Sequence, residues 1–425
     1  MLDPARLQAE LPAYQPRPAG APKALEGIRV VDFTHFLAGP IATMIMGDMG
    51  ADVIKVETPG RGDEFRYYPP VPDDLPGQGA PYLWSNRNKR SVALNLKSPE
   101  GLAVVRELIE KADVVAENFS AGVMARFGLD YESVRKINPK IIYCSVSAYG
   151  RDGPYKDRLG FDPIAQAESG FVSMNGYPDR QGVRTLSPVI DISTAMMVCN
   201  AILGALLARV RTGEGQAVEL SLFDTGVMMT GYAALQHLFT GVEPQRTANT
   251  SPDTCPSGVF QAADKPFYIN CGNNKIFHRL AAQVLERPDL ANDPVLADRN
   301  GRISRREELF GILEEAFAKQ PWSYWQPRMR EASIPCGEVR TVGEALRSGE
   351  AKARSNLVTR IAHPTVGWLP NIGSPIRYTG TPLVDPVPAP AVGQHTEEVL
   401  RGTLGYDDAK IEALRQAGVF DAGKA

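Results

Sequence analysis

From Gly27 to Asp224 short apolar runs alternate with stretches whose apolar positions recur every three or four residues. IRVVDF (28–33), ADVIKVE (51–57), ADVVAENF (112–119), IIYCSVSAYG (141–150) and QAVELSLFD (216–224) are short, apolar and rich in β-branched residues, and each predicts a strand. Between them, Pro40–Met49 suits a helix that stops at Gly50. Ser98-Pro99 supplies an N-cap followed by proline at the first helical position, and Leu102, Val105 and Leu108 carry that helix to about Lys111. Ile192–Ala208 is uncharged throughout, bounded by Asp191 and Arg209, with arginines in its last turn and Gly213 as its stop. It falls short of the ~20 apolar residues of a spanning helix and predicts a buried core helix. Strands alternating with helices predict an α/β fold with a parallel sheet covered on both faces.

The pattern changes after Thr240. Residues 241–258 are loop-rich, VFQAAD and KPFYINCG read as a hairpin, and helical periodicity returns near 276–286 and 306–319. This predicts a large domain over 25–240 and a smaller α+β domain over 241–345. Residues 346–425 return to strands, a proline-rich crossing from Pro382 to Pro390 and two short helices from about Thr396 and Asp407, a strap laid over a surface. The first 24 residues hold five prolines and no cationic start before an apolar run, so they predict a loosely held arm and not a signal peptide.

A length of 425 residues accommodates two domains, and the net charge of -3 gives no basic field for nucleic acid or an anionic membrane. Five cysteines without a CxxC pair read as reduced cytoplasmic thiols, and five scattered histidines give no metal-ligand spacing. The first strand is followed by THFLAGP and not by GxGxxG; no Walker motif, GxSxG elbow or HExxH occurs. The sequence therefore predicts neither NAD nor a metal, and leaves carboxylates and a basic loop as the candidate chemistry.

Asp191 stands in LSPVIDISTAM, among apolar or small residues and without a basic neighbour. Its plainer reading is a helix N-cap. The two roles are compatible: a helix N-terminus favours an ionised carboxylate, and such a group in an apolar pocket can attack an activated acyl carbon. SNRNKRSVALNLK (85–97) reads either as a solvated loop or as a phosphate cradle built on Arg87, Lys89, Arg90 and Lys97. ENFSAGVMARFG (117–128) lies where a strand ends and a helix begins, the place where open α/β sheets bind ligands; Asn118 and Arg126 are its polar candidates. In GFDPIAQAESG (160–170), Asp162 reads as a cap before Pro163 or as a site carboxylate.

GIRVVDFTHFLAGPIATMIMGDMGADVIKVE, NRNKRSVALNLKSPEG, ADVVAENF, GFDPIAQAESG, Asp191 with its small-residue helix, and RTGEGQAVELSLFD occur in one order. Together they resemble the family III CoA-transferases, which include formyl-CoA, carnitine and bile-acid CoA-transferases and the related α-methylacyl-CoA racemases. The likeness runs from about residue 25 to 240 and more weakly through IPCGEVRTVGEAL and GQHTEEVL. It implies a Rossmann-like large domain, a small domain, and ring-shaped chains interlocked as a homodimer, a hetero-oligomer being the alternative. It implies that Asp191 attacks a donor acyl-CoA, passing through an anhydride and an aspartyl-CoA thioester. CoA is then a substrate, needing no metal or redox cofactor, and the other substrate is a free carboxylic acid. The positions matching the CoA contacts are Asn88, Lys89, Arg90, Leu94, Lys97, Asn118, Phe119, Arg126 and Phe127. Around the acyl group it implies His35, Leu37, Phe161 and Asp162.

Two departures narrow the reading. The racemases carry a histidine where this chain has Phe161, and racemisation needs proton-transfer groups on both faces of the α-carbon. The glycine-rich loop of formyl-CoA transferase is missing before YINCGNN, and a glutamine in the first βα loop of that enzyme corresponds to Leu37; both point away from oxalate or formate. The expected substrates are a succinyl-CoA-like donor and a dicarboxylic or aryl-substituted acid, with Arg66, Arg184 or Arg246 receiving a second carboxylate. The competing readings are a CoA-ester isomerase using Asp162 or Asp191 as base, and a catalytically silent CoA-binding subunit.

Overall fold

The computed structural model describes residues 3–421. The chain divides into two compact units. The larger takes the sequence through Phe171, Thr185–Gly231 and everything from Gly349; the smaller takes Val172–Arg184 and Tyr232–Ser348. Relative to the sequence boundaries at 241 and 345, the smaller unit therefore also claims the turn-rich segment 172–184 and begins nine residues earlier.

The larger unit opens with α1 (Pro4–Glu10), then β1 (Arg29–Asp32), α2 (Ala38–Asp48), β2 (Asp52–Glu57), α3 (Ala80–Ser85) and β3 (Lys89–Ala93). It continues through α4 (Pro99–Glu110), β4 (Val114–Glu117), α5 (Val123–Arg126), α6 (Tyr131–Ile137) and β5 (Ile142–Ser147). Then come α7 (Asp162–Glu168), α8 (Val189–Thr212), β6 (Gln216–Ser221) and α9 (Leu222–Met229). The six strands form one parallel sheet in the order β3-β2-β1-β4-β5-β6. Along β1, Val30 and Val31 point to opposite faces and both are fully buried. One face packs under α4, α6 and the C-terminal helices Thr396–Gly402 and Asp408–Gln416, the other under α2 and α8. Burial on both faces explains why the strands are apolar runs and not alternating ones. Ser98 caps α4 as its sequence position indicates, accepting from Gly101 N at 2.9 Å.

Two expectations are corrected. The N-terminal arm is not loosely held: Asp3 caps α1, Leu7 is buried, and Tyr14 N donates to Arg360 O at 3.1 Å on the β-hairpin 358–372. Helix α8 is not buried all round: Ile190, Ala195, Val198 and Ile202 enter the core while Leu207 is 63% and Val210 81% exposed. A helix apolar on every side carries no periodic signal of which side faces inward.

Beyond the segment 172–184, the smaller unit runs through α10 (Tyr232–Thr240) and an antiparallel sheet of β7 (Ser257–Gln261), β8 (Pro266–Asn270) and β9 (Cys336–Glu338). Phe260, Phe267, Phe317 and Trp322 form its core, with Phe267 stacked on Trp322 at 4.8 Å.

Candidate active site

The strand order reverses between β1 and β4, so the loops leaving these strands diverge and open a crevice at their C-terminal ends. The β1–α2 loop is fixed there by buried polar contacts. Asp32 accepts from Thr34 N (2.9 Å), Thr34 Oγ1 (2.6 Å) and Thr43 Oγ1 (2.7 Å), and pairs with Lys89 Nζ at 2.9 Å. Lys55 Nζ donates to Thr34 O at 2.6 Å and to Asp63 at 3.0 Å, and Asp63 accepts from Phe36 N at 3.2 Å. From across the crevice Asn118 clamps His35, accepting from its N–H at 2.7 Å and donating to its carbonyl at 2.8 Å. These contacts hold Phe36 in the left-handed region, at φ 61, where a bulky side chain is strained. Gly39 lets α2 start against this loop, since a Cβ there would lie 2.4 Å from the Thr34 side chain.

A cleft of about 280 Å³ opens above the loop. It brings together six residues expected from sequence: His35, Leu37, Asn118, Phe119, Phe161 and Asp191. It also includes Phe36, Lys156, Arg158 and Leu222, which sequence reasoning missed. Lys156 and Arg158 sit in RDGPYKDRLG just beyond β5, and their place after a strand's C-terminal end was the available signal. Arg158 is held by Glu168 at 2.6 Å and lies over the Tyr149 and Tyr155 rings.

Asp191 is the third residue of α8, whose N-cap is Pro188, so it does not cap its own helix. Asp162 does so instead. Its Oδ1 accepts from Ile190 N at 2.8 Å and Asp191 N at 3.2 Å, while its Oδ2 accepts from Gln166 Nε2 at 2.6 Å. Asp162 is thus the first residue of α7 but the cap of α8, a correction to its reading as a local cap. Among the described residues no side chain donates a hydrogen bond to the Asp191 carboxyl. Burial first, and the negative Asp162 second, push it up to about 7. The expectation that the helix N-terminus keeps this aspartate ionised at neutral pH is therefore corrected: burial and the facing Asp162 charge favour the protonated form. The group is about half ionised near neutral pH, and a more basic carboxylate is a better nucleophile once deprotonated.

His35 meets the Phe119 ring edge-on at 4.7 Å, and its Nε2 is buried without a hydrogen-bond partner among the described residues. Burial, reinforced by Lys55, holds its pKa below the usual histidine value, so the ring is neutral at pH 7. Phe161 is exposed, with its ring 5.4 Å from that of Phe36.

The phosphate-cradle reading of 85–97 is corrected for three of its four cations. Arg87 pairs with Asp48 at 2.5 Å, buried Lys89 with Asp32, and Arg90 with Asp52 at 2.6 Å and Glu398 at 3.1 Å. Burial brings Lys89 down to about 8. The Asn88 side chain donates to Asp48 at 2.8 Å and accepts from Val387 N at 2.7 Å. Leu94 is buried in the sheet core, and Phe127 packs half-buried against the same cluster. Lys97 and Arg126 are exposed. Of the arginines proposed for a second carboxylate, Arg66 is buried against Glu57 at 2.5 Å and Arg246 donates to the carbonyls of Ser173, Tyr177 and Arg180 in the smaller unit. Arg184 also belongs to the smaller unit. Among the described residues no group of three or more His, Cys, Asp or Glu side chains could hold a metal ion.

The family model described as CoA-transferase family III matches residues 25–396. The chain is 36% identical over 399 residues to the succinyl-CoA:glutarate CoA-transferase of Mus musculus, covering 94% of this chain and 91% of that one. It is 37% identical over 399 residues to the acetyl-CoA:oxalate CoA-transferase of Acetobacter aceti, covering 92% and 99%. The crystal structure of a CAIB/BAIF family protein from Brucella suis superposes with a TM-score of 0.80 at 34% identity, covering 90% of this chain and 100% of that one. A parallel sheet with its crevice at the β1–β4 reversal, and a desolvated aspartate in that crevice, thus belong to a chain that is a member of CoA-transferase family III and an enzyme that transfers CoA.

Proposed function

We propose that this enzyme moves CoA between a succinyl-class acyl-CoA and a dicarboxylic acid, with Asp191 as the covalent carrier. The observation that carries the proposal is the place of the Asp191 carboxyl, in the cleft at the sheet's C-terminal edge with no side-chain donor among the described residues, where burial favours its protonated form. Its oxygen adds to the donor thioester carbonyl and the C–S bond breaks, giving an aspartyl anhydride and CoA thiolate. The thiolate attacks the aspartyl carbonyl, releasing the donor acid as a carboxylate. The acceptor carboxylate then attacks the aspartyl thioester, forming a second anhydride, and the thiolate returns to the acceptor carbonyl. The new CoA ester leaves and the Asp191 carboxylate is regenerated. Both intermediates are hydrolysable, so the buried Leu37 and Leu222 and the Phe36 ring on the cleft lining serve by limiting water.

Support for the substrate class comes from the names of relatives: succinyl-CoA with glutarate in the mouse protein, succinate with glutarate in one from Agrobacterium fabrum (37% identical), and acetyl-CoA with oxalate in that of Acetobacter aceti. We assign Lys156, on the cleft wall, to the acceptor's second carboxylate. CoA would lie along Asn118 and Phe119 with its phosphates toward exposed Arg126 and Lys97. The active assembly is read as a homodimer, consistent with the exposed apolar face of α8, and its five free cysteines favour the cytoplasm. The isomerase reading is disfavoured because both Asp162 oxygens are engaged and Phe161 replaces the second proton-transfer group. The test is a panel of mono- and dicarboxylic acids offered with succinyl-CoA and acetyl-CoA, products read by mass spectrometry. Transfer to C4–C6 dicarboxylates supports the proposal; α-proton exchange without acceptor, and no transfer, refutes it.

A further inference from the structure

A carboxylate not used in that sequence of steps lies directly behind the nucleophile. Asp162 is 3% exposed and its three donors are all neutral: two backbone N–H groups of α8 and the Gln166 amide. Among the described residues it forms no salt bridge, whereas Asp32, Asp63, Glu57 and Glu117, buried acids of this edge, each face a lysine or arginine. Gln166 is itself fixed, fully buried and accepting from Thr185 N at 2.9 Å. Pro188, at the N-cap, has no side-chain acceptor, so the first turn of α8, which carries Asp191, is anchored through Asp162.

We propose that Asp162 is a positioning residue: its buried carboxylate fixes Asp191 through the backbone N–H and sets a like charge behind it that acylation relieves. The proposal rests on Asp191 being the acyl carrier. Anhydride or thioester formation discharges Asp191 while leaving Asp162 as it was, so the covalent states lose a repulsion that the free enzyme bears. The same charge contributes to the raised pKa of Asp191. A bland cap would do only half of this: Ser, Thr or Asn would satisfy the N–H groups with no charge. The other titratable or charged groups lining the cleft are His35 on the β1–α2 loop and Lys156, Asp157 and Arg158 before α7; α9 contributes Leu222, and Asp48 lies at the far end of α2.

The experiment is the pH profile of the donor half-reaction for the full-length enzyme and Asp162→Asn, with the Asp191 adduct quantified at steady state by peptide mass spectrometry. The expected result is a midpoint lowered by about one pH unit, the scale of a nearby like charge, with roughly tenfold less adduct at equal donor concentration. Asp162→Ser, a neutral cap, gives the same reading if the asparagine variant does not fold. A midpoint that stays in place in the folded variant, with only thermal stability reduced, overturns the proposal and leaves a structural cap. An adduct at Asp191 in the parent enzyme with unmoved midpoints overturns the role of Asp162 alone. Absence of an Asp191 adduct in the parent overturns the nucleophile assignment together with it.

Discussion

Replacing Asp191 by asparagine should abolish turnover and at the same time stabilise the protein, by an amount that depends on pH. Burial and Asp162 raise this carboxyl from 3.8 to about 7. The folded state therefore holds a proton that the unfolded chain releases between those values. Folding is penalised progressively as pH rises from 3.8 to 7, and the full penalty is present above 7. At about 1.36 kcal/mol per unit, the ionised side chain costs the fold at most about 4 kcal/mol at pH 8 and about 2 kcal/mol at pH 5. Contact between the cleft and solvent makes both figures upper values. Asparagine is close in shape and carries no charge at either pH, so Asp191→Asn should gain more stability at pH 8 than at pH 5. Urea unfolding of both proteins at the two pH values, followed by tryptophan fluorescence and circular dichroism, measures the difference. A variant no more stable than the parent at pH 8, or equally stabilised at both, would refute a desolvated, high-pKa nucleophile.

Four further outcomes are expected. The single-turnover rate of the donor half-reaction should rise about tenfold between pH 6 and pH 8 as Asp191 ionises, measured by stopped-flow release of CoA thiol; a flat profile contradicts the raised pKa. Lys156→Ala should raise KM for dicarboxylic acceptors several-fold while sparing monocarboxylic ones, and an equal effect on both removes Lys156 from that role. Arg126→Ala should raise KM for CoA esters in steady-state kinetics, and an unchanged KM removes it from the site. Lys55→Met strips the partner from buried Asp63 and frees the Thr34 carbonyl; it should cost about 3–5 kcal/mol in urea unfolding, and a cost below 1 kcal/mol would show that the loop is held otherwise.

Much of the large unit is legible in its sequence because a strand buried on both faces leaves a continuous apolar run, as Val30 and Val31 do, and because Ser98-Pro99 marks a helix start unambiguously. Asp191 stands out for the opposite reason, a charge with no local partner in an apolar setting. The basic loop misleads because its carboxylate partners lie elsewhere in the chain: Asp52 and Asp32 reach Arg90 and Lys89 through the parallel pairing of β1, β2 and β3, and Asp48 reaches Arg87 from the end of α2. Local sequence shows a cluster of four cations; the fold pairs three of them and leaves Lys97 exposed. The capping of α8 was hidden for the same reason, since Asp162 precedes the helix it caps by 27 residues and sits at the start of another. Burial of the N-terminal arm depends on a hairpin more than 340 residues away, a contact no local pattern announces.

The central claim is that the side chain at 191 becomes acylated during turnover. Incubating the enzyme with succinyl-CoA, quenching with hydroxylamine and mapping the peptides by mass spectrometry tests it directly. The account predicts a hydroxamate at Asp191 that depends on the donor and is absent from Asp191→Asn. A modification at another residue, or an unmodified Asp191 in an enzyme shown to be turning over, would contradict it.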